Sequence, residues 1–254
     1  MDFRVSGDRV SVNVPTWPAL QARVSERLAT GQGFALATLN LDHIVKLRGS
    51  PAFRRVYAQM DLVTADGNPI VWMSRLAGRR VELIPGADTI LMLARIAARQ
   101  GVTVALVGST DDTLAGAKAY LEGEVRDLHI VETIAPAMGF DPAGADALRI
   151  FARLDASGAR LCFVALGAPK QEIFAAAGRA QVPELGFACI GAGLDFFAGT
   201  QRRAPGWARR FALEWLWRMV GSPRRLGMRY LRCLVILPGQ MLRAMVSRFR
   251  SPQH

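Results

Sequence analysis

Lysine, cysteine and histidine are scarce in this chain of 254 residues, with three of each. The cysteines, Cys162, Cys189 and Cys233, are odd in number and far apart. That excludes a disulfide scaffold and a cysteine-type zinc site, and it suits a reducing compartment. His43, His129 and His254 are scattered, so a histidine metal cluster is not expected. No stretch approaches the ~20 apolar residues of a membrane span. The apolar run Cys233–Leu237 meets Pro238-Gly239, and residues 1–14 lack the apolar core of a signal peptide. Several motifs are also missing. There is no Walker loop, no G-x-G-x-x-G fingerprint, no G-x-S-x-G elbow and no H-E-x-x-H. An Asp-x-Asp pair, a common holder of a divalent metal on a diphosphate, is absent as well.

Hydrophobic residues make up 51% of the chain and charged residues 21%, so it can bury a sizeable core. The net charge of +11 is concentrated. From Arg202 to Arg250 there are 12 arginines, no lysine and one acid, Glu214, which accounts for the whole excess. Trp207, Trp215 and Trp217 lie in the same segment. The chain therefore divides into a neutral body, 1–200, and a basic, aromatic appendage, 201–254. Such an appendage suits an anionic partner: a membrane surface, a phosphorylated substrate or a nucleic acid.

In the body, short apolar runs alternate with helix-like segments. Strands are expected at Phe34–Thr38, Leu62–Ala65, Val102–Val107, Leu128–Ile134, Leu161–Leu166 and Phe187–Ile190. Helices are expected at Pro51–Asp61, Ala87–Gln100 with Gly101 as C-cap, Asp111–Gly123, Pro142–Ala156 and from Lys170 onward. Near-continuous apolar strands separated by helices indicate an α/β fold, Rossmann-like, with a mostly parallel sheet covered on both faces. Ligands of such folds bind beyond the carboxyl ends of the strands. Those ends carry Thr38 and Asn40, Asp66-Gly67, Gly108-Ser109-Thr110, Gly167–Glu172 and Gly191–Asp195.

Each group has a plain and a chemical reading. Gly108-Ser109-Thr110 could hold a phosphate on helix amides, or simply turn the chain into a capped helix. Asp66 could serve as a general base or cap an Asp-Gly turn, and spacing favours the turn. Lys170 and Gln171 open a helix after Gly167-Ala168-Pro169, where an anion is already favoured. The plain alternative is an exposed helix start. Trp215 and Trp217, two positions apart, cannot both face one core from a single helix. Arg202, Arg203, Arg218, Arg224 and Arg225 could neutralise a diphosphate through forked hydrogen bonds.

Taken in order, these motifs resemble the WecG/TagA/CpsF family of bacterial glycosyltransferases. The residues that carry the resemblance are Thr38-x-Asn40, Ala65-Asp66-Gly67, Gly86-x-Asp88 and Gly167-x-Pro169-Lys170-Gln171-Glu172. Further along come Gly191-x-Gly193-x-Asp195-Phe196 with Ala198-Gly199, Arg203-Ala204-Pro205, and Leu213-Glu214-Trp215-Leu216-x-Arg218 with Pro223-x-Arg225. Two positions differ from the family's common pattern: Leu83 stands where an Arg is usual, and Ser222 where an acid is usual. The resemblance implies transfer of a sugar from a UDP-sugar to an undecaprenyl-diphosphate-linked sugar, with inversion, at the cytoplasmic face of the inner membrane. It implies no cofactor and no metal. It makes Asp66 the base, with Thr38 as its catalytic neighbour. Asn40, Gly67, Lys170, Gln171, Asp195, Arg218 and Arg225 become the candidate substrate-binding residues. The expected partners are the UDP-sugar donor, the polyprenyl-diphosphate-linked acceptor and an anionic membrane surface, with room for a homo-oligomer. The alternative is a nucleic-acid-binding protein that grips phosphates with its basic tail. Interleaved Leu, Val, Ile and Met in the tail favour an interfacial helix instead. A nicotinamide enzyme is disfavoured by the missing fingerprint.

Overall fold

A computed structural model describes residues 1–199, 204–205 and 214–250, apart from the side chains of Arg218, Arg225 and Arg250. The chain opens with an antiparallel hairpin, β1 (Asp2–Val5) and β2 (Asp8–Ser11). Then follow α1 (Trp17–Ala29), β3 (Phe34–Leu39), α2 (Leu41–Gly49), α3 (Pro51–Tyr57), β4 (Leu62–Ala65) and α4 (Asn68–Leu76). The next run is α5 (Gly86–Gln100), β5 (Val104–Gly108), α6 (Asp111–Glu124), β6 (Ile130–Ile134), α7 (Ala145–Ala156) and β7 (Leu161–Ala165). The body closes with α8 (Lys170–Gln181), β8 (Gly186–Cys189) and the short α9 (Gly193–Phe197). Beyond it lie α10 (Glu214–Gly221) and α11 (Pro223–Arg250).

Six strands form one parallel sheet in the order β4-β3-β8-β7-β5-β6. Every residue of β3, β4, β5 and β8 is buried, which is why these strands read as near-continuous apolar runs, broken only by Thr38 and Thr64. The α/β, Rossmann-like expectation holds. The expected strands and helices recur with ends shifted by at most four residues, Leu62–Ala65 without any shift, and Gly101 caps α5 in the left-handed conformation. The hairpin and helices α1, α2, α4 and α9 were not anticipated.

Two cores flank the sheet. One holds residues of the hairpin, α2, α3, α4, α7 and α8, and the other those of α1, α5 and α6. In the first, Phe151 and Phe174 stack with ring centroids 4.6 Å apart, and Phe187 meets both edge-on. Truncating one such ring to Ala costs about 3–5 kcal/mol. Where β5 ends, Gly108 has φ +120° and a Cβ there would stand 2.4 Å from Ala165 O, so only glycine fits between the two strand ends.

The long helix α11 lies on the body and packs against α2 and α4. Its Cys233 and Ala244 are buried in the first core, with Ile236, Leu237 and Met241 partly buried beside them. The helix runs through Pro238. Trp215 and Trp217 of α10 are both exposed, and Trp215 meets Tyr230 edge-on at 5.8 Å. No helix among the described residues is long and apolar enough to cross a membrane.

The three cysteines are free and buried. Burial pushes the Cys162 and Cys189 thiols far up, and the Cys233 thiol to about 11. A thiolate is the reactive form, so native protein at pH 8 should label slowly with a thiol reagent, and all three sites should label at once in denaturant. Fast stoichiometric labelling of the native protein would contradict this packing.

Candidate functional site

The site grows from the register of β3 and β4. Thr38 pairs with Thr64 and Leu39 with Ala65, so the next residues, Asn40 and Asp66, leave the sheet side by side. The Asp66 N–H donates to Leu39 O at 2.8 Å, which extends the ladder by one bond. Thr38 Oγ1 then donates to Asp66 Oδ2 at 3.4 Å, and Asn40 Nδ2 to the same oxygen at 3.3 Å. Both bonds fall on Oδ2, and no described residue donates to Oδ1. Asp66 is half-buried, so this carboxylate is held on one oxygen and open on the other. Gly67 follows with φ +98° and ψ 139° and turns the chain into α4, with Pro69 in the first turn.

Asn40 is also the N-cap of α2. Its Oδ1 accepts from His43 N–H at 3.0 Å, and its own N–H donates to His43 Nδ1 at 3.3 Å, a capping box with histidine in the usual Glu place. Across the sheet edge, Gln171 and Glu172 open α8 and are almost wholly buried. Glu172 Oε1 accepts from His43 Nε2 at 3.2 Å and from Gln171 Nε2 at 2.8 Å. Gln171 Oε1 accepts from the Gly191 N–H at 3.0 Å. Tyr57 OH donates to Thr38 O at 3.1 Å from a fully buried position. Burial, reinforced by the nearby Glu172 carboxylate, raises its phenol well above the ordinary value.

The ends of β3, β4, β7 and β8 thus bring Thr38, Asn40, Asp66, Gly67 and Gln171 into one connected group. Both polar atoms of the Gln171 amide are bonded inside the protein. Lys170 is placed differently, because its exposed side chain donates to Phe140 O at 3.0 Å in the loop before α7. Asp195, in α9, accepts from Ser109 Oγ at 3.0 Å and so joins the ends of β5 and β8. The side chains of Arg218 and Arg225, with Arg202, Arg203 and Trp207, lie outside the described residues. Leu83 packs partly buried against the first core.

Two groups escaped the sequence reading. One is the buried His43–Glu172 pair, for which Asn40-x-x-His43 at capping-box spacing was the available signal. The other is Asp42, also buried, which pairs with Lys46 at 2.8 Å and with Arg229 of α11 at 3.1 Å. Lys46 Nζ further donates to Ala168 O at 2.8 Å, so α11, α2 and the loop before α8 are tied together beside the site. Among the described residues, no cluster of three His, Cys, Asp or Glu side chains could hold a metal ion.

Comparison with known protein families matches residues 6–253 to the model of the glycosyl transferase WecG/TagA/CpsF family. The match spans essentially the whole chain, and the chain belongs to this family. The protein is a glycosyltransferase of cell-surface polysaccharide synthesis, and its family implies a sugar donor and a lipid-linked acceptor.

The turn at Gly67 can be tested directly. A Cβ there has room, with Pro69 Cδ at 3.8 Å and Asn40 Cβ at 3.9 Å, so the cost of a side chain is conformational. Gly67→Ala should lower unfolding free energy by about 1–3 kcal/mol in urea titration. An unchanged midpoint would mean that this turn is not held at positive φ.

Proposed function

We propose that this family member transfers a sugar from a UDP-sugar to an undecaprenyl-diphosphate-linked sugar, with inversion and without a metal. The observation that carries the reading is the one-sided hold on Asp66. Thr38 and Asn40 occupy Oδ2, which leaves Oδ1 as the oxygen with free lone pairs to take a proton. In the proposed step, Oδ1 accepts the proton of the acceptor hydroxyl. The acceptor oxygen forms its bond to the anomeric carbon on the face opposite UDP. The bond from that carbon to the UDP oxygen breaks, and its electron pair leaves with the diphosphate. Arg218 and Arg225 are proposed to neutralise the charge that grows there, the work a divalent metal does elsewhere. Lys170, Gln171 and Asp195 are proposed to shape the pocket, with Lys170 and Gln171 acting through the loops they tie together.

The appendage, 201–254, is proposed to lie on the anionic cytoplasmic face of the inner membrane. The exposed side of α11 supports this. Met228, Leu231, Val235, Leu242, Val246 and Phe249 recur at helical spacing and are all exposed. Arg48 of α2 with Arg232 and Arg243 of α11 rims a groove of about 620 Å³, and Val45, Val235 and Ile236 line it as well. Cations around an apolar floor fit a lipid headgroup above its chains. A nucleic-acid reading of the same arginines leaves the apolar stripe without a use.

A panel of UDP-sugars, with and without a polyprenyl-diphosphate-sugar acceptor, should show acceptor-dependent UDP release that survives a chelator. Asp66→Asn should bind UDP as the parent does and turn over at least ~100-fold more slowly. Turnover within a few-fold of the parent would remove Asp66 from the role of base. In co-sedimentation, anionic vesicles should carry down more protein than neutral ones, and added salt should weaken that preference. Equal binding to both would count against the membrane reading.

A further inference from the structure

Glu172 is fully buried, and its Oε2 has no hydrogen-bond partner. Burying a carboxylate in this way is costly, and close-packed neighbours would be cheaper for stability alone. Its one bonded oxygen, Oε1, receives His43 Nε2 and Gln171 Nε2. The polarity of the chain that starts there is set by backbone donors. The Gly191 N–H can only donate, so Gln171 Oε1 faces it and Nε2 faces Glu172. The Asn40 N–H can only donate, so His43 Nδ1 accepts and carries no proton. The proton therefore sits on Nε2 and points to Glu172. The His43 N–H can only donate, so Asn40 Oδ1 faces it, and Nδ2 is left for Asp66. A single directed path thus runs from Glu172 through His43 and Asn40 to Asp66 Oδ2.

From this path we infer that Glu172 and His43 are positioning residues for the glycosyl transfer. They fix the imidazole tautomer, the tautomer fixes the Asn40 backbone and side-chain amide, and the amide decides which oxygen of Asp66 stays open. Neither residue needs to touch the substrate, and both are buried. The inference rests on the reading of Asp66 as the base. It goes beyond that reading by assigning work to two groups beneath it.

Substitutions can separate the two imidazole nitrogens. His43→Gln keeps a donor near Glu172 and loses the acceptor for Asn40 N–H. His43→Asn keeps that acceptor and loses the reach to Glu172. Glu172→Gln keeps the shape of the carboxylate. A misplacement of about an ångström at a reacting group costs up to about 100-fold in rate. His43→Gln and Glu172→Gln should therefore lower kcat roughly 10–100-fold while KM for the UDP-sugar stays within about twofold. His43→Asn should recover part of the loss. In an Asn40→Ser background, which keeps the cap oxygen but has no amide to aim, His43→Gln should cost little more in kcat. Fully additive losses there, or a lower melting temperature with normal kcat, would overturn the proposal and leave the pair a structural staple. Nitrogen NMR of the parent gives a readout independent of activity, since only three histidines are present. The Nε2–H tautomer is expected at His43, and the Nδ1–H tautomer would break the path. A parent inactive on every UDP-sugar would instead sink the donor assignment, and the tautomer would still decide whether the path exists.

Discussion

A parallel sheet covered by helices on both faces leaves little room for polar side chains except at its ends and its edge strands. The rest of this molecule follows from that constraint. β3, β4, β5 and β8 are buried at every position, so the first polar residues after each strand are pressed together at the carboxyl edge. The pairing of Leu39 with Ala65 puts Asn40 and Asp66 abreast, and one residue of slip would send the carboxylate to the other face. From β5 the chain moves toward β6, and from β7 it moves the opposite way toward β8. The loops part between them, where Gly108 lets the two strand ends close up. Such a parting is where open α/β sheets keep a crevice for a ligand.

Much of this is legible in the sequence. Leu62–Ala65 ends in Asp-Gly, and Leu161–Ala165 runs into Gly-Ala-Pro, so both strand ends were marked by turn residues. Asp66 and Asn40 stood out because short polar residues follow apolar runs. The hairpin did not, since its strands have four residues each and only one face of each is buried. Helix α2 was hidden because it starts directly after β3, and Asn40, taken as a pocket residue, doubles as its cap. Glu172 was unreadable for a different reason. An acid in the first turn of a helix is ordinary on a surface, and only burial makes it unusual. Lys170 drew attention by rarity, yet its ammonium serves Phe140 O, thirty residues away in the chain.

The polar network is costly in stability but fixes geometry closely. The packing of Phe151, Phe174 and Phe187 is non-directional and tolerates several ring orientations. Hydrogen bonds between buried groups do not, because each donor lost leaves its partner unsatisfied. Gln171, Glu172 and His43 therefore hold the ends of β3, β7 and β8 at fixed separations beneath Asp66. The apolar layers supply the stability against which that rigidity is set.

Arg229, which grips Asp42 two residues from Asn40, belongs to the same unbroken helix as the exposed apolar stripe. From Arg229 to Phe249 that helix extends about 30 Å. The Asp42 contact, and with it the edge that carries Asn40 and Asp66, lies near one end of that length. With the stripe resting on lipid as proposed, the standing height of Asp66 is set by the thickness of a helix and not by a flexible tether. Acceptors would then be sorted by stature as well as by chemistry, since a sugar too close to the bilayer, or too far above it, never meets the open carboxylate oxygen.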